Sequence, residues 1–253
     1  PRRELNRGAV RSGCFEELND AFAHRNAYSV DTNGINTYIQ FCLAKTTPDG
    51  GLTNGIDRVT TFYGNHDVDL EGGIPQGLTN WDPSRYVNVW VVNSIQSELQ
   101  PSNFKCGGWK RMGIAGYASV GGGWGAIVSG LGVPLMAHEL GHYLSLLHTF
   151  TGMDCKNNDC SLDGDLVCDT PPDKSIDGSP CNNPENSCGT DTLSGPFTKD
   201  VQDNISNFMD YGSPCPSVFT PGQANRMRAF LEIYLDSALI KSTVCSEIGR
   251  AHV

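Results

Sequence analysis

The stretch Pro134-Leu-Met-Ala-His138-Glu139-Leu-Gly-His142-Tyr-Leu-Ser145-Leu-Leu-His148-Thr-Phe150 decides the fold of this 253-residue chain. Three of the six histidines lie between positions 138 and 148. Because residues four apart share one face of a helix, His138 and His142 can direct two imidazoles to one point. Pro134 is well placed to begin that helix, since proline is favoured at the first helical position. The stretch therefore predicts a helix that carries two ligands of a metal ion.

Glu139 and His148 indicate the kind of metal site. The spacing H-E-x-x-H places a carboxylate beside the two imidazoles, as in zinc hydrolases. Catalytic zinc takes three protein ligands and keeps its fourth position for water, so a third ligand is required. His148 can supply it if the helix ends near Ser145 and the chain turns back. We expect Ser145 at positive φ, where glycine is usual, at a cost on the order of 1 kcal/mol.

The chemistry that this site predicts is metal-assisted hydrolysis of a peptide bond. Zinc held by His138, His142 and His148 would activate a water molecule and polarise the substrate carbonyl. Glu139 would be the general base, because a carboxylate can take a proton and later give it to the leaving amine. A buried amphipathic helix with hydrogen-bonded histidines is the alternative, and Glu139 together with His148 argues against it.

Composition narrows the functional classes. The formal net charge of −10 argues against a nucleic-acid partner, which requires a basic surface. No apolar run approaches the ~18 residues that a transmembrane helix needs, so we expect no membrane partner. The 29 glycines favour a loop-rich globular protein. We expect a monomer that acts on protein or peptide substrates.

The ten cysteines, an even number, predict disulfides and an oxidising compartment. We therefore expect a secreted or extracellular protein, with the periplasm as the alternative. The chain begins at Pro1 rather than Met, which indicates a mature form or a fragment. Residues 247–253, Glu-Ile-Gly-Arg-Ala-His-Val, read like a translated sequencing adapter, and we expect a non-native tail there.

Hydrophobic patterns predict elements before the metal-site helix. Apolar residues recur at helical spacing within 14–30, which favours a short helix. Alternation over 34–44 favours a strand, and the β-branched run 86–92 favours a central strand. Further strands are expected over 114–120 and 126–128.

After His148 the sequence changes character. Residues 151–200 have few aliphatic side chains and many Asp, Asn, Gly, Pro and Cys, which indicates irregular chain held by disulfides. The C-terminal helix should have Thr220 as its N-cap and Pro221 as its first residue, with Gln223 closing a capping box.

The residues around the three histidines resemble the metzincin clan, whose pattern is H-E-x-x-H-x-x-G-x-x-H; Ser145 stands where that pattern has glycine. Thr149-Phe150 after the third histidine resembles the pappalysin family of metalloproteases in particular. The same family is matched by the runs Asp169-Thr-Pro171, Asn207-Phe-Met-Asp-Tyr-Gly212 and Phe219-Thr-Pro-Gly-Gln223. The resemblance covers about residues 34–235 and implies a secreted zinc-dependent endopeptidase.

The resemblance also implies the fold class, which is α+β and metzincin-like. A single catalytic domain would span residues 1–246. Its upper subdomain, 1–148, would contain a twisted mixed sheet and the zinc-binding helix. Its lower subdomain, 149–246, would be irregular, disulfide-rich and completed by the C-terminal helix. The metal would lie in the cleft between the two.

Three further roles follow from the resemblance. Met209 would be the methionine of the Met-turn, an apolar floor under the imidazoles; the alternative is an ordinary core methionine. Tyr211 would lie near the metal and could hydrogen-bond the developing oxyanion; the alternative is a core tyrosine. Residues 115–119 would bind substrate as an added extended strand, or would be a plain sheet strand.

A calcium site is also implied. Gly164-Asp-Leu-Val-Cys-Asp-Thr-Pro171 resembles the calcium-binding loop of pappalysins, which assigns Asp165 and Thr170 as ligands. Val167 or Cys168 would add carbonyl oxygens, the ligand type that calcium prefers. A solvated acidic loop is the alternative.

The cysteines cannot be paired from spacing alone. The resemblance implies that Cys181 pairs with Cys215, and that Cys188 pairs with Cys155 or Cys160, leaving Cys168 for the other. A pair between Cys42 and Cys106 is a guess, and one cysteine, such as Cys14, could be free.

Other functions stay open at this point. A thermolysin-like protease would take a carboxylate such as Glu185 as third ligand. A non-catalytic secreted module that binds zinc or calcium, or an adhesion module, would not need the base Glu139. Pappalysins often favour a basic residue after the cleaved bond, aided by an acid just past the Met-turn. Here that stretch is Gly212-Ser-Pro214, which puts a basic preference in doubt.

Overall fold

The computed structural model describes residues 12–68, 73–102, 108–156, 158–174, 185–193, 196–211 and 217–234. Helices and strands follow one another in the order α1 (Ser12–Phe22), β1 (Asn65–Asp67), α2 (Ile74–Leu78), β2 (Asn88–Val91), β3 (Ser94–Ser102), β4 (Gly108–Ile114), β5 (Gly116–Ala118), β6 (Gly125–Val128), α3 (Val133–Tyr143) and α4 (Pro221–Tyr234). Short 3-10 turns occur at Asn26–Tyr28 and Asp191–Leu193. None of the helices in these ranges combines the length and apolar character that crossing a membrane requires.

The described strands form two three-stranded sheets, in the orders β1-β3-β4 and β2-β6-β5. In the second sheet, β6 runs parallel to β2 and antiparallel to β5, with Trp90 and Tyr117 both opposite Ile127. All four residues of β6 are buried. Gly125 is required where β6 begins, because its φ is 129° and an added Cβ would overlap the backbone of Asn88.

Helix α3 packs on β6, β5 and α1, and its apolar face forms the centre of the main core. The core combines residues from the first helix, from α3 and from the chain after residue 205, among them Phe22, Leu140, Leu146, Phe208, Phe219 and Met227. Burying apolar surface stabilises a fold by about 25 cal/mol for each Å², so this cluster stabilises the packing around α3. The metal-site helix is therefore held from both the N-terminal and C-terminal sides of the sequence.

The strand predicted over 34–44 is wrong. These residues are not in a strand, and Tyr38 lies in the left-handed region at φ 59°. Their backbone forms hydrogen bonds with α1 instead. The amide of Thr37 donates to the carbonyl of Phe22 (2.9 Å), and Asn19 exchanges two hydrogen bonds with the backbone of Phe41. The alternating apolar residues thus pack on a helix rather than on a sheet.

Two other strand predictions need correction. The β-branched run 86–92 forms β2 over four residues, and it lies at the end of its described sheet rather than at the centre. The strand predicted over 114–120 is divided, since β4 ends at Ile114 and β5 covers Gly116–Ala118. The predicted helix within 14–30 ends at Phe22. β6 takes the central place because it is buried along its whole length.

The described residues of 151–200 are irregular apart from the 3-10 turn at Asp191–Leu193, as the composition predicted. Disulfides join Cys155 to Cys188 and Cys160 to Cys168, which is the first of the two pairings left open. Cys14 is free. Cys42 is disulfide-bonded, but the predicted partner Cys106 lies outside the described residues, as do Cys181, Cys215 and the tail 247–253.

The capping box of the C-terminal helix is confirmed. The amide of Gln223 donates to the hydroxyl of Thr220 (3.2 Å), and the amide of Thr220 donates to Oε1 of Gln223 (3.0 Å). Asp169 adds a second cap, because its carboxylate accepts hydrogen bonds from the hydroxyl of Thr220 and the amide of Gly222, both at 2.7 Å. An acidic group at a helix N-terminus also complements the helix dipole. The loop that precedes Thr170 is thereby fixed to α4.

Candidate metal centre

Helix α3 carries the first two histidines. It begins after Gly132, with Pro134 in its first turn. His138 and His142 are one helical turn apart, and both side chains are buried. Because the adjacent Ala137 and Leu140 are part of the core, the helix cannot rotate without losing apolar contacts.

The chain turns back at the end of α3 and brings the third histidine, His148, to the other two. The amide of Ser145 donates to the carbonyl of His142 (2.9 Å), and the amide of Leu146 donates to the carbonyl of Gly141 (2.9 Å). These two bonds define a Schellman motif, whose left-handed residue is usually glycine. Here that residue is Ser145, with φ 78°, as the sequence predicted. The turn directs the chain back so that His148 faces α3.

The three imidazoles converge through their Nε2 atoms. Nε2 of His142 lies 3.1 Å from that of His138 and 3.0 Å from that of His148, and the third side of the triangle is 3.2 Å. Nitrogen ligands of tetrahedral zinc, at about 2.05 Å from the metal, lie about 3.3 Å apart. Within the described residues, these three make up the group of side chains that could hold a metal ion. The donor set and the spacing fit zinc.

The other ring nitrogens orient two of the imidazoles. Nδ1 of His138 donates to the carbonyl oxygen of Phe208 (2.6 Å), and Nδ1 of His142 donates to that of Leu146 (2.9 Å). A proton on Nδ1 leaves the lone pair of Nε2 free for a metal. His148 is oriented by packing instead, since its ring stacks on Phe150 with the centroids 4.7 Å apart.

The centre also selects the neutral form of its histidines. Burial, followed by the neighbouring His142, lowers the pKa of His138 to about 4. Burial and the two other rings lower the pKa of His148 to about 3, and burial lowers that of His142. Neutral imidazole is the form that binds metal, so at neutral pH the ligands need not lose a proton first.

Glu139 lies beside the three histidines. Its side chain is buried, and within the described residues its Oε2 has no hydrogen-bond partner. Burial raises the pKa of Glu139 to about 8. A cation at the histidines would favour its ionised form. Gly116 on β5 makes room for this carboxylate, because an added Cβ there would lie 2.7 Å from Oε1.

Met209 and Tyr211 both lie close to the centre, and they differ in exposure. Met209 is fully buried beneath α3, where its sulfur occupies the space that a Cβ on Gly141 would need. The ring of Tyr211 is half exposed, and its centroid lies 5.7 Å from that of His138 and 4.9 Å from that of His148. Burial, followed by the charge of Glu139, raises the pKa of Tyr211.

The segment that carries these residues is fastened at several points. The amide of Thr149 donates to the carbonyl of Met209 (3.2 Å), and the hydroxyl of Thr149 donates to Oδ2 of Asp210 (3.0 Å). The side-chain amides of Asn207 and Gln223 exchange two hydrogen bonds, at 2.8 and 2.9 Å, in the core. Residues 207–211 are thus held by both the third-histidine segment and α4.

The acidic loop places Asp165 and Thr170 together. The hydroxyl of Thr170 lies 2.9 Å from both carboxylate oxygens of Asp165 and 2.8 Å from the carbonyl oxygen of Val167. Burial raises the pKa of Asp165 to about 7. All three residues line a cavity of about 20 Å³. Glu185, the alternative third ligand, does not belong to the metal-binding group found among the described residues.

Several contributors to the site were not predicted. The carbonyl oxygens of Phe208 and Leu146 orient the imidazoles, and a carbonyl acceptor leaves no trace in the residue type. Phe150 was visible as part of H-T-F, two residues after His148, but the motif does not show that the two rings stack. Gly116 was visible as a small residue in a predicted strand, but its partner Glu139 lies on a later helix.

Residues 131–232 match the Peptidase M43 family model, described as pregnancy-associated plasma protein-A. The match includes the three histidines, Glu139 and the segment with Met209 and Tyr211. The resemblance to the pappalysin family is thereby confirmed for this part of the chain.

Curated relatives include extracellular metalloproteases of fungi. That of Aspergillus oryzae is 42% identical over 94 residues, which cover 36% of this chain and 26% of the relative. Extracellular metalloprotease 1 of Coccidioides posadasii is 40% identical over 93 residues, covering 36% of this chain and 27% of the relative. The match thus spans about a quarter of the length of these relatives.

Solved structures support the fold class. Mature mirolysin of Tannerella forsythia superposes with a TM-score of 0.63 at 23% identity, over 86% of this chain and 82% of that one. A second mirolysin structure gives a TM-score of 0.63 at 24% identity, over 87% of this chain and 82% of that one. This likeness shows the fold, and the predicted α+β, metzincin-like class is confirmed.

Proposed function

We propose that this chain, whose residues 131–232 match the pappalysin family model, is a secreted zinc endopeptidase of that family. The observation that carries the proposal is the convergence of three neutral imidazoles beside a buried carboxylate that lacks a hydrogen-bond partner among the described residues. A purely structural metal site has no use for such a carboxylate. Secretion is supported by the disulfides, two of which join described cysteines, and by relatives that are named extracellular metalloproteases.

His138, His142 and His148 would hold the zinc ion. When bound, zinc would supply Lewis-acid polarisation and lower the pKa of a coordinated water toward ~7. The protein contributes the fixed ring orientations, through the carbonyls of Phe208 and Leu146. Met209 would pack beneath α3 as an apolar floor and help to hold the imidazoles in position.

Glu139 is the proposed general base. Its Oε2 is free to accept a proton, and Oε1 lies against Gly116 on β5. The raised pKa also suits a group that must later give the proton to a leaving amine. Tyr211 is half exposed next to two of the histidines, where its hydroxyl could donate to the oxygen that becomes negative.

Strand β5 is the proposed substrate edge. It pairs with β6 and ends the described strand order, so residues 115–119 could accept an extended peptide as one more strand. One mirolysin structure is a complex with a cleaved peptide. We propose that a protein or peptide substrate binds here between the two subdomains, 1–148 and 149–246.

Calcium is proposed as a second, structural ion. Carboxylate, hydroxyl and carbonyl oxygens from Asp165, Thr170 and Val167 converge at one cavity, as oxygen ligands of calcium do. If calcium binds there, a calcium-selective chelator that leaves zinc in place should lower the melting temperature of the wild type but not that of Asp165→Asn. An equal shift in both proteins, or none in either, would count against this site.

The test of the function is a peptide-library digest with three proteins. Wild type should cleave, while Glu139→Gln should bind one zinc per chain and lose most turnover. The matched control is Glu16→Gln, an exposed glutamate on α1, which should cleave like wild type. Zinc without cleavage in the wild type would instead favour a non-catalytic metal-binding module. Full activity of Glu139→Gln would refute its role as base.

A further inference from the structure

Arg226 on α4 reaches two backbone turns that both contain a non-glycine residue at positive φ. Its Nε donates to the carbonyl oxygen of Ser145 (2.8 Å), and its Nη1 lies 3.5 Å from the carbonyl oxygen of Leu166. Ser145 has φ 78° and Leu166 has φ 62°. Among the described residues, seven non-glycine positions have positive φ, and one guanidinium contacts two of them.

The contact with Ser145 is distinct from the bonds of the Schellman motif. Those bonds use the amides of Ser145 and Leu146 and the carbonyls of His142 and Gly141. The glycine turn after β5 gives further donors, since the amide of Gly121 donates to the carbonyl of His142 (3.0 Å). The carbonyl oxygen of Ser145 takes no part in those bonds, and Arg226 is its donor.

We propose that Arg226 is a positioning residue for the third metal ligand. By holding the carbonyl of Ser145, it stabilises the left-handed turn that returns His148 to the other two imidazoles. The inference rests on the proposed zinc site, and it explains how this chain keeps the turn without the usual glycine. A hydrogen bond from a charged donor is stronger than one between neutral groups, so it can offset the cost of serine at positive φ.

The geometry suits arginine better than lysine. A planar guanidinium presents several N–H donors in a fixed fork, so one side chain can serve two acceptors at once. Arg226 is partly buried, with its stem on the core helix α4 next to the buried Met227.

Arg228 offers a matched control. It lies on the same helix two residues later and is also partly buried. It contacts the carbonyl oxygen of Thr37 (3.3 Å) and the ring of Tyr38, at 5.9 Å from the centroid, both far along the chain from the Ser145 turn. Replacing it should therefore alter packing near α1 but not the position of His148.

The experiment measures zinc affinity by chelator competition, together with the melting temperature of the metal-free proteins. Arg226→Gln should bind zinc 10–100-fold more weakly than wild type, the usual effect of losing a group that orients a ligand. Arg228→Gln should stay within about twofold, and Arg226→Lys should be intermediate. Wild-type affinity in Arg226→Gln, or an equal loss in Arg228→Gln, would overturn the inference.

A second variant separates positioning from general destabilisation. Ser145→Gly removes the cost of positive φ, so adding it to Arg226→Gln should restore part of the zinc affinity. It also provides a folded background if Arg226→Gln alone does not fold. No recovery in the double variant would contradict the assigned role. Failure of the proposed function looks different, because there the wild type itself would bind no zinc or would not cleave.

Discussion

Ser145 adopts a backbone conformation that serine disfavours, and the metal site depends on it. At φ 78° it completes the Schellman motif that ends α3. An uninterrupted helix would carry His148 to the wrong face. The sequence predicted this turn correctly because the spacing of the third histidine requires it, even though the usual glycine is missing.

Ser145→Gly should therefore stabilise the protein by about 0.5–1 kcal/mol, since glycine adopts positive φ without a Cβ clash. Urea unfolding of the metal-free proteins measures the change. Ser29→Gly is the matched control, because exposed Ser29 has φ −91° and glycine brings no such relief there. A destabilised Ser145→Gly would show that the serine side chain itself holds the turn.

Asp203 is a single residue that makes the stability of the fold depend on pH. It is buried, Oδ2 accepts a hydrogen bond from the amide of Ser187 (3.0 Å), and Oδ1 has no hydrogen-bond partner in the described ranges. Burial raises the pKa of Asp203 to about 6. Because the folded pKa is raised, this carboxyl stabilises the fold at pH values below its unfolded pKa, and the contribution is lost as pH rises toward 6.

Asp203→Asn cannot ionise, so its stability should lack the fall that Asp203 causes in the wild type as the pH rises. The melting temperature of the variant minus that of wild type should thus rise between pH 4 and pH 7, a window set by the folded pKa of about 6. Asp49→Asn is the control, because hydrogen bonding to Thr47 lowers the pKa of this exposed aspartate. The melting temperature of Asp49→Asn minus that of wild type should therefore not rise between pH 4 and pH 7. A constant difference for Asp203→Asn would refute the assignment.

The helices show why some elements were predictable. α3 and α4 begin at local signals, Pro134 and the Thr220–Gln223 capping box, and local signals are readable from sequence. The segment 34–44 alternates like a strand, yet its partners are α1 and Phe219, which no local pattern reveals. The same limit applies to β2, whose place at the end of a sheet depends on the distant β6.

The contact between α3 and the 207–211 segment can be tested directly. Gly141→Ala would place a Cβ where the sulfur of Met209 lies, so it should destabilise the protein by about 1–3 kcal/mol and weaken zinc binding. Gly130→Ala is the control, because nothing lies within 4 Å of its added Cβ. If Gly141→Ala melted like Gly130→Ala, Met209 would not pack under the helix.

At the scale of the whole molecule, the site joins parts of the chain that are far apart in sequence. α3 supplies His138, His142 and Glu139, the Ser145 turn brings His148 to them, and Met209 and Tyr211 pack nearby. The three motifs and their order were enough to predict this assembly. The hydrogen bonds that hold it together, through the carbonyls of Phe208 and Leu146, were not.

X-ray absorption at the zinc edge tests the central claim most directly. The account predicts one zinc per chain with three imidazole nitrogens at about 2.0–2.1 Å, and the loss of one of them in His148→Ala. The control His24→Ala, a histidine outside the site, should leave the spectrum unchanged. A spectrum with sulfur ligands, or one unaffected by His148→Ala, would contradict the assignment of the three histidines as the metal centre.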